Sequence, residues 1–388
     1  MPVTTHKSTI ASDSFIVTPW EVKGDIDYDK LIRDFGTQPL TKKHAELIEK
    51  LAGKKNHMLD RNIFFSHRDL DWFLGEYQKG KTVALYTGRG PSGPIHLGHL
   101  MPWFFTKYLH DAFKCQLYFQ MTDDEKFLFK DSLSQKETYG WSMENALDVM
   151  AVGFDPERTK ILIDTKSIAK LYPLALEVSK RVTYSTAKAV FGFADNSNIG
   201  EIFFTSIQSA PAFLPSVEAR AKTGAKGDEV VPVLIPYAID QDPHFRVTRD
   251  VAEKIGFPKP AAIHSTFFPS LAGAGKMSAS DPLSAIYTTD DEATIRKKVG
   301  RAFTGGRATV AEQRKLGGNP EICSVCQYLK FFFEPDDKKL EERLRAYRAG
   351  EILDGENKAY LADKIVDFLK EHQRRREQAR KVLDKVID

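Results

Sequence analysis

Cysteine is scarce in this chain: 388 residues carry three, Cys115, Cys323 and Cys326. So few thiols build no disulfide framework, and the count suits a reducing compartment. Cys323-Ser324-Val325-Cys326 has metal-like spacing, but Cys115 is the only other thiol. With no histidine or carboxylate partners identifiable, a buried helix turn is the simpler reading. Long apolar runs are missing too. The longest, around Val230 to Ile239, contains prolines and is too short to span a membrane. Met1 to Ser14 is polar with no apolar centre, so it does not read as a signal peptide. Charge of one sign is also lacking. Fifty-six basic residues against 53 acidic leave a net charge of +3, which excludes a uniformly basic coat but not a local basic patch. Internal repeats and low-complexity tracts are absent, so the length implies two or three globular domains with a sizeable core.

What is present is organised around Tyr86-Thr87-Gly88-Arg89-Gly90-Pro91-Ser92-Gly93-Pro94-Ile95-His96-Leu97-Gly98-His99. The apolar run Thr82 to Leu85 before it reads as a buried strand. After it, Leu100, Trp103, Phe104, Leu109 and Phe113 carry helical spacing. The Gly-rich segment is therefore a strand-to-helix turn. Its backbone N–H groups are expected to point outward, unpaired, beside a positive helix terminus, as at a phosphate site. His96 and His99, three apart at the helix start, can both face that site. Gly88 to Gly93 also fits the G-x-G-x-x-G dinucleotide pattern, with Asp111 near the right distance. Pro91 and Pro94 inside the turn, and two histidines directly after it, argue against that reading. Taken alone, His96 and His99 could be a helix cap and a core histidine.

The rest of the chain alternates. Strands are expected at Cys115 to Thr122, Lys160 to Asp164, Val230 to Ile235 and Ala261 to Thr266. Helices are expected at Ser134 to Gly153, at Ser167 to Phe193 with a break near Val182, and at Pro243 to Ile255. Such alternation implies an α/β fold, a Rossmann-like parallel sheet with helices on both faces. Ala219 to Asp228, polar and Gly-rich, reads as a surface loop. Before the sheet, residues 1 to about 14 read as disordered and Phe15 to Val22 as a hairpin or extended arm. Asp27 to Phe35 and Thr41 to Leu51 read as helices, and Phe64 begins another that runs to Gly80. Beyond Asp281, Ala293 to Phe303, Val310 to Lys315, Cys323 to Phe333, Asp337 to Ala349 and Asn357 to Ile387 are helical in pattern. The expected division is an appended region over 1–80, the catalytic domain over 81–281 and an all-helical domain over 282–388. The last helix is locally basic at Arg374, Arg375, Arg376, Arg380, Lys381 and Lys385. That is either a solvated face or an RNA-backbone contact.

His96-Leu97-Gly98-His99 resembles the HIGH motif of class I aminoacyl-tRNA synthetases and related nucleotidylyltransferases. Far downstream, Lys276-Met277-Ser278-Ala279-Ser280 resembles their KMSKS loop. It follows an expected strand and a Gly-rich approach. Together with Gln120-Met121-Thr122-Asp123-Asp124-Glu125-Lys126, Ala238 to Pro243 and His264-Ser265-Thr266, these motifs resemble the tryptophanyl-tRNA synthetase family of archaeal and eukaryotic cytosolic type. The resemblance covers the chain from about Phe15 to its last helix. The tyrosyl enzymes share the fold and motif order and are the main alternative.

The resemblance implies a ligase that activates L-tryptophan with ATP and Mg2+ to tryptophanyl-adenylate, then transfers it to the 3′ end of tRNA(Trp). It implies an indole N–H bound by Tyr86 and Gln120, both able to accept a proton from a pure donor. It implies a substrate α-ammonium held by Glu125, Gln208 and Gln241, and a carboxylate met by Lys126. ATP falls to Thr87, Gly88, Arg89, Gly90, Gly98, Lys276, Met277 and Ser278. Catalysis falls to His96, His99, Lys276 and Ser278, as positioning and charge stabilisation on phosphate. The helical domain is implied to bind the anticodon, with Arg374, Arg375, Arg376 and Arg380 as tRNA contacts. A cytoplasmic homodimer without membrane association is implied. One departure stands out: Ala279 occupies the place of the usual second lysine, as it does in the resembling subfamily, so it does not imply inactivity. Two other classes remain open, a nucleotidylyltransferase making a small activated metabolite and an inactive RNA-binding relative. Intact His96, His99 and Lys276 speak against the second.

Overall fold

The protein is described from a computed structural model, which covers residues 10–11, 15–17, 22–24, 26–223, 229–277 and 285–388. Three short antiparallel strands come first: β1 (Ile10–Ala11), β2 (Phe15–Val17) and β3 (Val22–Gly24). The expected disorder over 1–14 otherwise lies outside the described residues. A seven-stranded sheet follows, built from β4 (Gln38–Pro39), β5 (Phe64–Arg68), β6 (Ala84–Arg89), β7 (Gln116–Met121), β8 (Thr159–Ile163), β9 (Val233–Ala238) and β10 (Ala261–Ser265). Its order is β4-β5-β10-β9-β6-β7-β8. From β10 to β8 all neighbours are parallel, while β4 and β5 run antiparallel at one edge. A two-stranded ribbon, β11 (Pro269–Ser270) and β12 (Gly273–Lys276), completes the strands.

Alternation along the strands explains the two cores. On β7, Leu117, Phe119 and Met121 enter one hydrophobic cluster and Tyr118 the other; on β8, Ile161 and Ile163 oppose Leu162. A period of two sends successive side chains to opposite faces, so a doubly covered sheet reads as a near-continuous apolar run. One face packs on the helices Leu97–Phe113 and Gln135–Ala151, the other on Asp164–Ser179 and Ile199–Ser209. The expected break near Val182 falls between the helices Asp164–Ser179 and Tyr184–Phe191.

Three expectations need correction. Phe64 does not begin a helix. It begins β5, and the helix starts at Leu70. Phe64 stacks on Phe105 at 3.6 Å while its strand pairs with β10, so sheet pairing and aromatic burial override the local pattern. The N-terminal region is thereby built into the sheet. The last helix does not run from Asn357 to Ile387. It spans Asp354–Ala379, and after a short helix, Leu383–Val386, the chain end lies beside β8, where Asp388 N–H donates to the Ile161 carbonyl at 3.0 Å. The segment Ala219 to Asp228 begins inside a helix, Leu214–Thr223; residues 224–228 lie outside the described residues. The C-terminal helices share the sheet's larger core through Tyr328, Tyr347, Leu361, Ile365 and Leu369.

Candidate active site

In this sheet the order reverses between β6 and β9: β7 and β8 lie to one side of β6, β9 and β10 to the other. Ligands of open α/β sheets bind outside the carboxyl ends of the strands at such a point. A cavity of about 580 Å³ lies there, and its lining includes Tyr86, Thr87, Gly88, Arg89, Gly90, His96, Gly98, His99, Gln120, Glu125, Lys126, Gln208, Gln241 and Met277. The fold thus gathers candidates from separate segments into one pocket.

At one end of the cavity, β6 turns into the helix Leu97–Phe113, with His96 at the N-cap. The His96 and His99 rings stack at 3.6 Å, and the His96 backbone N–H donates to His99 Nδ1 at 3.3 Å. At the helix start itself the N–H groups are occupied. Leu97 N–H donates to the Ile286 carbonyl at 3.0 Å and His99 N–H to the His96 carbonyl at 2.9 Å. Gly98 N–H meets the Met277 thioether sulfur at 3.4 Å, a weak acceptor that leaves this donor exchangeable. This contact joins the two distant motifs across 179 residues of sequence. Glycine at 98 lets the chain pass close to the His96 ring, which a Cβ would press at 3.1 Å. Lys276 ends β12, paired with Pro269, and Met277 N–H donates to the Phe268 carbonyl at 3.0 Å. Ser278, with Ala279 and Ser280, lies outside the described residues.

At the other end the polar groups are buried and tightly bonded. Register sets Tyr86 opposite Tyr118 and Gly88 opposite Gln120. Tyr86 Oη lies 2.5 Å from Gln120 Oε1 and 2.8 Å from the Gln208 carbonyl oxygen. Gln120 Nε2 donates to both Asp164 carboxyl oxygens at 2.9 Å. Glu125 accepts from Thr122 Oγ1 at 2.6 Å and from Lys126 Nζ at 2.5 Å. Burial pushes its carboxyl up, but Lys126 and Thr122 outweigh burial and hold it below the usual range. Glu125 and Lys126, expected to meet opposite ends of a substrate amino acid, are bonded to each other here. An incoming ammonium and carboxylate would share that pair. A Cβ at Gly90 would run into Lys126 Cε and Glu125 Oε2.

Buried polar side-chain atoms on the lining without a hydrogen-bond partner include Arg89 Nε, Gln208 Oε1 and Ser265 Oγ. Burial lowers the Arg89 guanidinium to about 10, partly countered by Glu125, so it remains cationic at neutral pH. A buried cation with an unused donor and, on the same lining, an unused amide oxygen call for an anion and a donor from a ligand.

Sequence reasoning missed the groups behind the lining. Asp242, fully buried next to Gln241, accepts from Arg68 Nε and Nη2 at 2.8 Å and from Arg246 Nε at 2.9 Å. Burial raises its carboxyl, but Arg68 outweighs burial and brings it to about 2. Burial holds the lining residue His244 neutral, with its pKa at about 4. The Ala238 to Pro243 stretch pointed at Asp242's neighbourhood; Asp164 gave no local signal.

Of the four arginines in the basic run, three face solvent with acidic neighbours: Arg374 and Arg375 pair with Glu371 at 2.7 Å, and Arg380 with Glu377 at 3.1 Å. Arg376 departs from expectation. It is buried and paired with Asp148, and with Glu144 at 3.1 Å, while His372 Nε2 lies 2.9 Å from Asp148. These contacts tie the last long helix to the helix Gln135–Ala151.

A doubly wound sheet with a His-x-Gly-His helix start facing a Lys-Met strand end is the architecture of a class I aminoacyl-tRNA synthetase, and the family described as "tRNA synthetases class I (W and Y)" matches residues 78–370. The tryptophan–tRNA ligase of Pyrobaculum aerophilum is 51% identical over 372 residues, covering 96% of this chain and 97% of that relative. That of Thermococcus sibiricus is 53% identical over 374 residues, covering 96% and 94%. The solved tryptophanyl-tRNA synthetase of Giardia lamblia aligns with a TM-score of 0.87 at 39% identity, covering 93% of this chain and 95% of that one. Within the class I synthetases, the chain belongs to the tryptophan–tRNA ligase family.

Proposed function

We propose that this chain joins tryptophan to tRNA(Trp) in two steps at the cavity between β6 and β9. In the first, the tryptophan carboxylate attacks the α-phosphorus of ATP and pyrophosphate leaves. In the second, the terminal ribose of the tRNA takes the tryptophanyl group. The observation that carries this reading is the pair of buried oxygens, Tyr86 Oη and Gln120 Oε1, 2.5 Å apart at one end of the cavity. An indole offers one polar atom, an N–H, and these oxygens can accept it. Gln208 Oε1, Glu125 and Gln241 supply acceptors for the α-ammonium, and Lys126 meets the carboxylate. Arg89, Thr87, Gly88, Gly90 and the start of the His96 helix receive the nucleotide. His96 and His99 donate to phosphate oxygens. Lys276, with Met277 and Ser278, meets the charge that develops on pyrophosphate. Mg2+ arrives with ATP and neutralises phosphate charge, and no protein ligand for it is assigned.

The helical part, 282–388, is assigned to the anticodon side of the tRNA, with Arg374, Arg375 and Arg380 as phosphate contacts; Arg376 is assigned to structure. A homodimer is supported by Ile168, Tyr172 and Leu176, exposed at helical spacing on Asp164–Ser179, with Ile199 84% exposed nearby. No helix among the described residues is long and apolar enough to cross a membrane, and the three free thiols are compatible with a cytoplasmic site. The deciding experiment is ATP–pyrophosphate exchange with tryptophan, tyrosine and phenylalanine in turn. Exchange driven by tryptophan is expected; a preference for tyrosine overturns the assignment.

A further inference from the structure

A glutamine side chain fills nearly the same space in two orientations, differing only in whether C=O or NH2 faces a given neighbour. At Gln120 the choice decides what the cavity offers its ligand. Tyr86 does not make that choice. Its hydroxyl carries one proton and lies within reach of two oxygens, Gln120 Oε1 and the Gln208 carbonyl. Three oxygens therefore share one proton. A reversed amide would suit these neighbours better: Tyr86 would donate to the Gln208 carbonyl and accept from the Gln120 NH2. The opposing constraint comes from Asp164, whose two oxygens each lie 2.9 Å from Gln120 Nε2. Asp164 is fully buried, opens the helix Asp164–Ser179 and is absent from the cavity lining. Burial, then the neighbouring Asp124, raises the Asp164 carboxyl well above its ordinary range, and its proton is directed to Asp124, so its oxygens face Gln120 as acceptors; Asp123 is occupied by Thr165 N–H and Oγ1 at 3.1 and 2.5 Å.

We propose that Asp164 is a positioning residue for substrate choice: it holds the Gln120 amide with its oxygen toward Tyr86, leaving a proton-poor cluster that an incoming ring N–H completes. This rests on the assignment of Tyr86 and Gln120 to the indole. A substrate whose ring carries an oxygen in that place adds a further acceptor to a cluster already short of protons, so rejection of such a ring depends on Asp164. Nothing in the reaction passes through Asp164 itself.

The test is pyrophosphate exchange with tryptophan and with β-(benzofuran-3-yl)alanine, in which oxygen replaces the ring N–H. The wild type is expected to favour tryptophan strongly. Asp164→Ala should erode that preference by about tenfold or more, through the Michaelis constant for tryptophan, with that for ATP unchanged. Asp164→Asn, which sets an NH2 against the Gln120 NH2 in one of its two senses, should give a smaller loss of about threefold or more. If the alanine variant does not fold, the asparagine variant decides. In a Gln120→Leu background, Asp164→Asn should leave the preference as it stands, because the group it acts through is gone. Wild-type preference retained in a folded Asp164 variant overturns the proposal alone, as does an equal loss in the Gln120→Leu background. Wild-type indifference between the two amino acids overturns the pocket assignment as well.

Discussion

The two ends of the cavity are built differently. At the end proposed for the amino acid, Tyr86, Gln120 and Asp164 come from adjacent strands and the helix start after β8, and their bonds are short and buried. At the end proposed for the nucleotide, the described contacts between the His96 helix and the β12 segment include a weak donor–sulfur contact between Gly98 and Met277. The first end is preorganised by sheet register. The second is held by interactions that a ligand can replace at little cost. On the proposed assignment of the indole to the first end and ATP to the second, that asymmetry puts rigidity where one ring is selected and exchangeable contacts where pyrophosphate leaves.

The largest effect that sharpens this contrast is expected from Lys276→Ala. A lysine meeting charge only as it develops stabilises the transition state more than the bound substrates. Its loss should slow activation by about 2.7–4 kcal/mol, in line with removal of a single oxyanion donor. Tryptophan binding, read by equilibrium dialysis, should barely move. An unchanged exchange rate would remove Lys276 from the mechanism.

Gln120→Ala tests the opposite end. It should raise the Michaelis constant for tryptophan and erode discrimination against phenylalanine. An expected loss of about 1–3 kcal/mol reflects Tyr86 and Asp164 left without their shared partner. The Michaelis constant for ATP should stay near the wild-type value. If both constants rise together in exchange kinetics, the two ends are coupled and the contrast fails.

A comparable effect on stability is expected from the ion pairs beneath Gln241. Asp242 is fully buried, and its carboxyl lies near 2 rather than at its ordinary 3.8. Because the folded value is depressed, its contribution is present in full above the unfolded value. It is lost as pH falls from about 4 to about 2, and the shift corresponds to about 2 kcal/mol. Urea unfolding across that interval should show a flatter pH dependence in Asp242→Asn than in the wild type. Parallel curves would assign acid sensitivity to other carboxyls.

The smallest effect is expected farthest from the cavity. Replacing Arg374 and Arg375 with glutamine should weaken tRNA charging by a few-fold and reduce its salt dependence, with exchange untouched. Each already pairs with Glu371 at 2.7 Å, so the net field of this face is modest. Identical tRNA Michaelis constants and salt slopes would make the run a solvated face.

How much was legible beforehand varies with the range of the interaction. The parallel strands were readable because strands covered on both faces are continuously apolar. β5 was misread because Phe64-Phe65-Ser66-His67-Arg68 has no helical or strand signature of its own until it lies against β10. Much of the cavity lining was readable because residues such as Thr87, Gln120 and Gln241 end or follow strands in recognisable motifs, whereas Gln208, near the end of the helix Ile199–Ser209, came only from the resemblance. Asp164 was not, since it reaches the site only through Gln120 from the neighbouring strand's end. Arg376 was misassigned because a run of arginines looks alike in one dimension, whereas helical phase turns one of them toward Asp148.

The sequence by itself determined the strand-turn-helix unit, the doubly wound class, the paired histidine and lysine motifs and the family. Those depend on local periodicity, turn chemistry and residue types at short spacing. Tertiary structure alone decided which atoms face the cavity: the sense of the Gln120 amide, the mutual bonding of Glu125 and Lys126, the Met277 sulfur over the His96 helix, and the inward turn of Arg376. Each depends on partners brought together by register and packing, and hydrogen bonds and ion pairs are satisfied by what lies nearest in space.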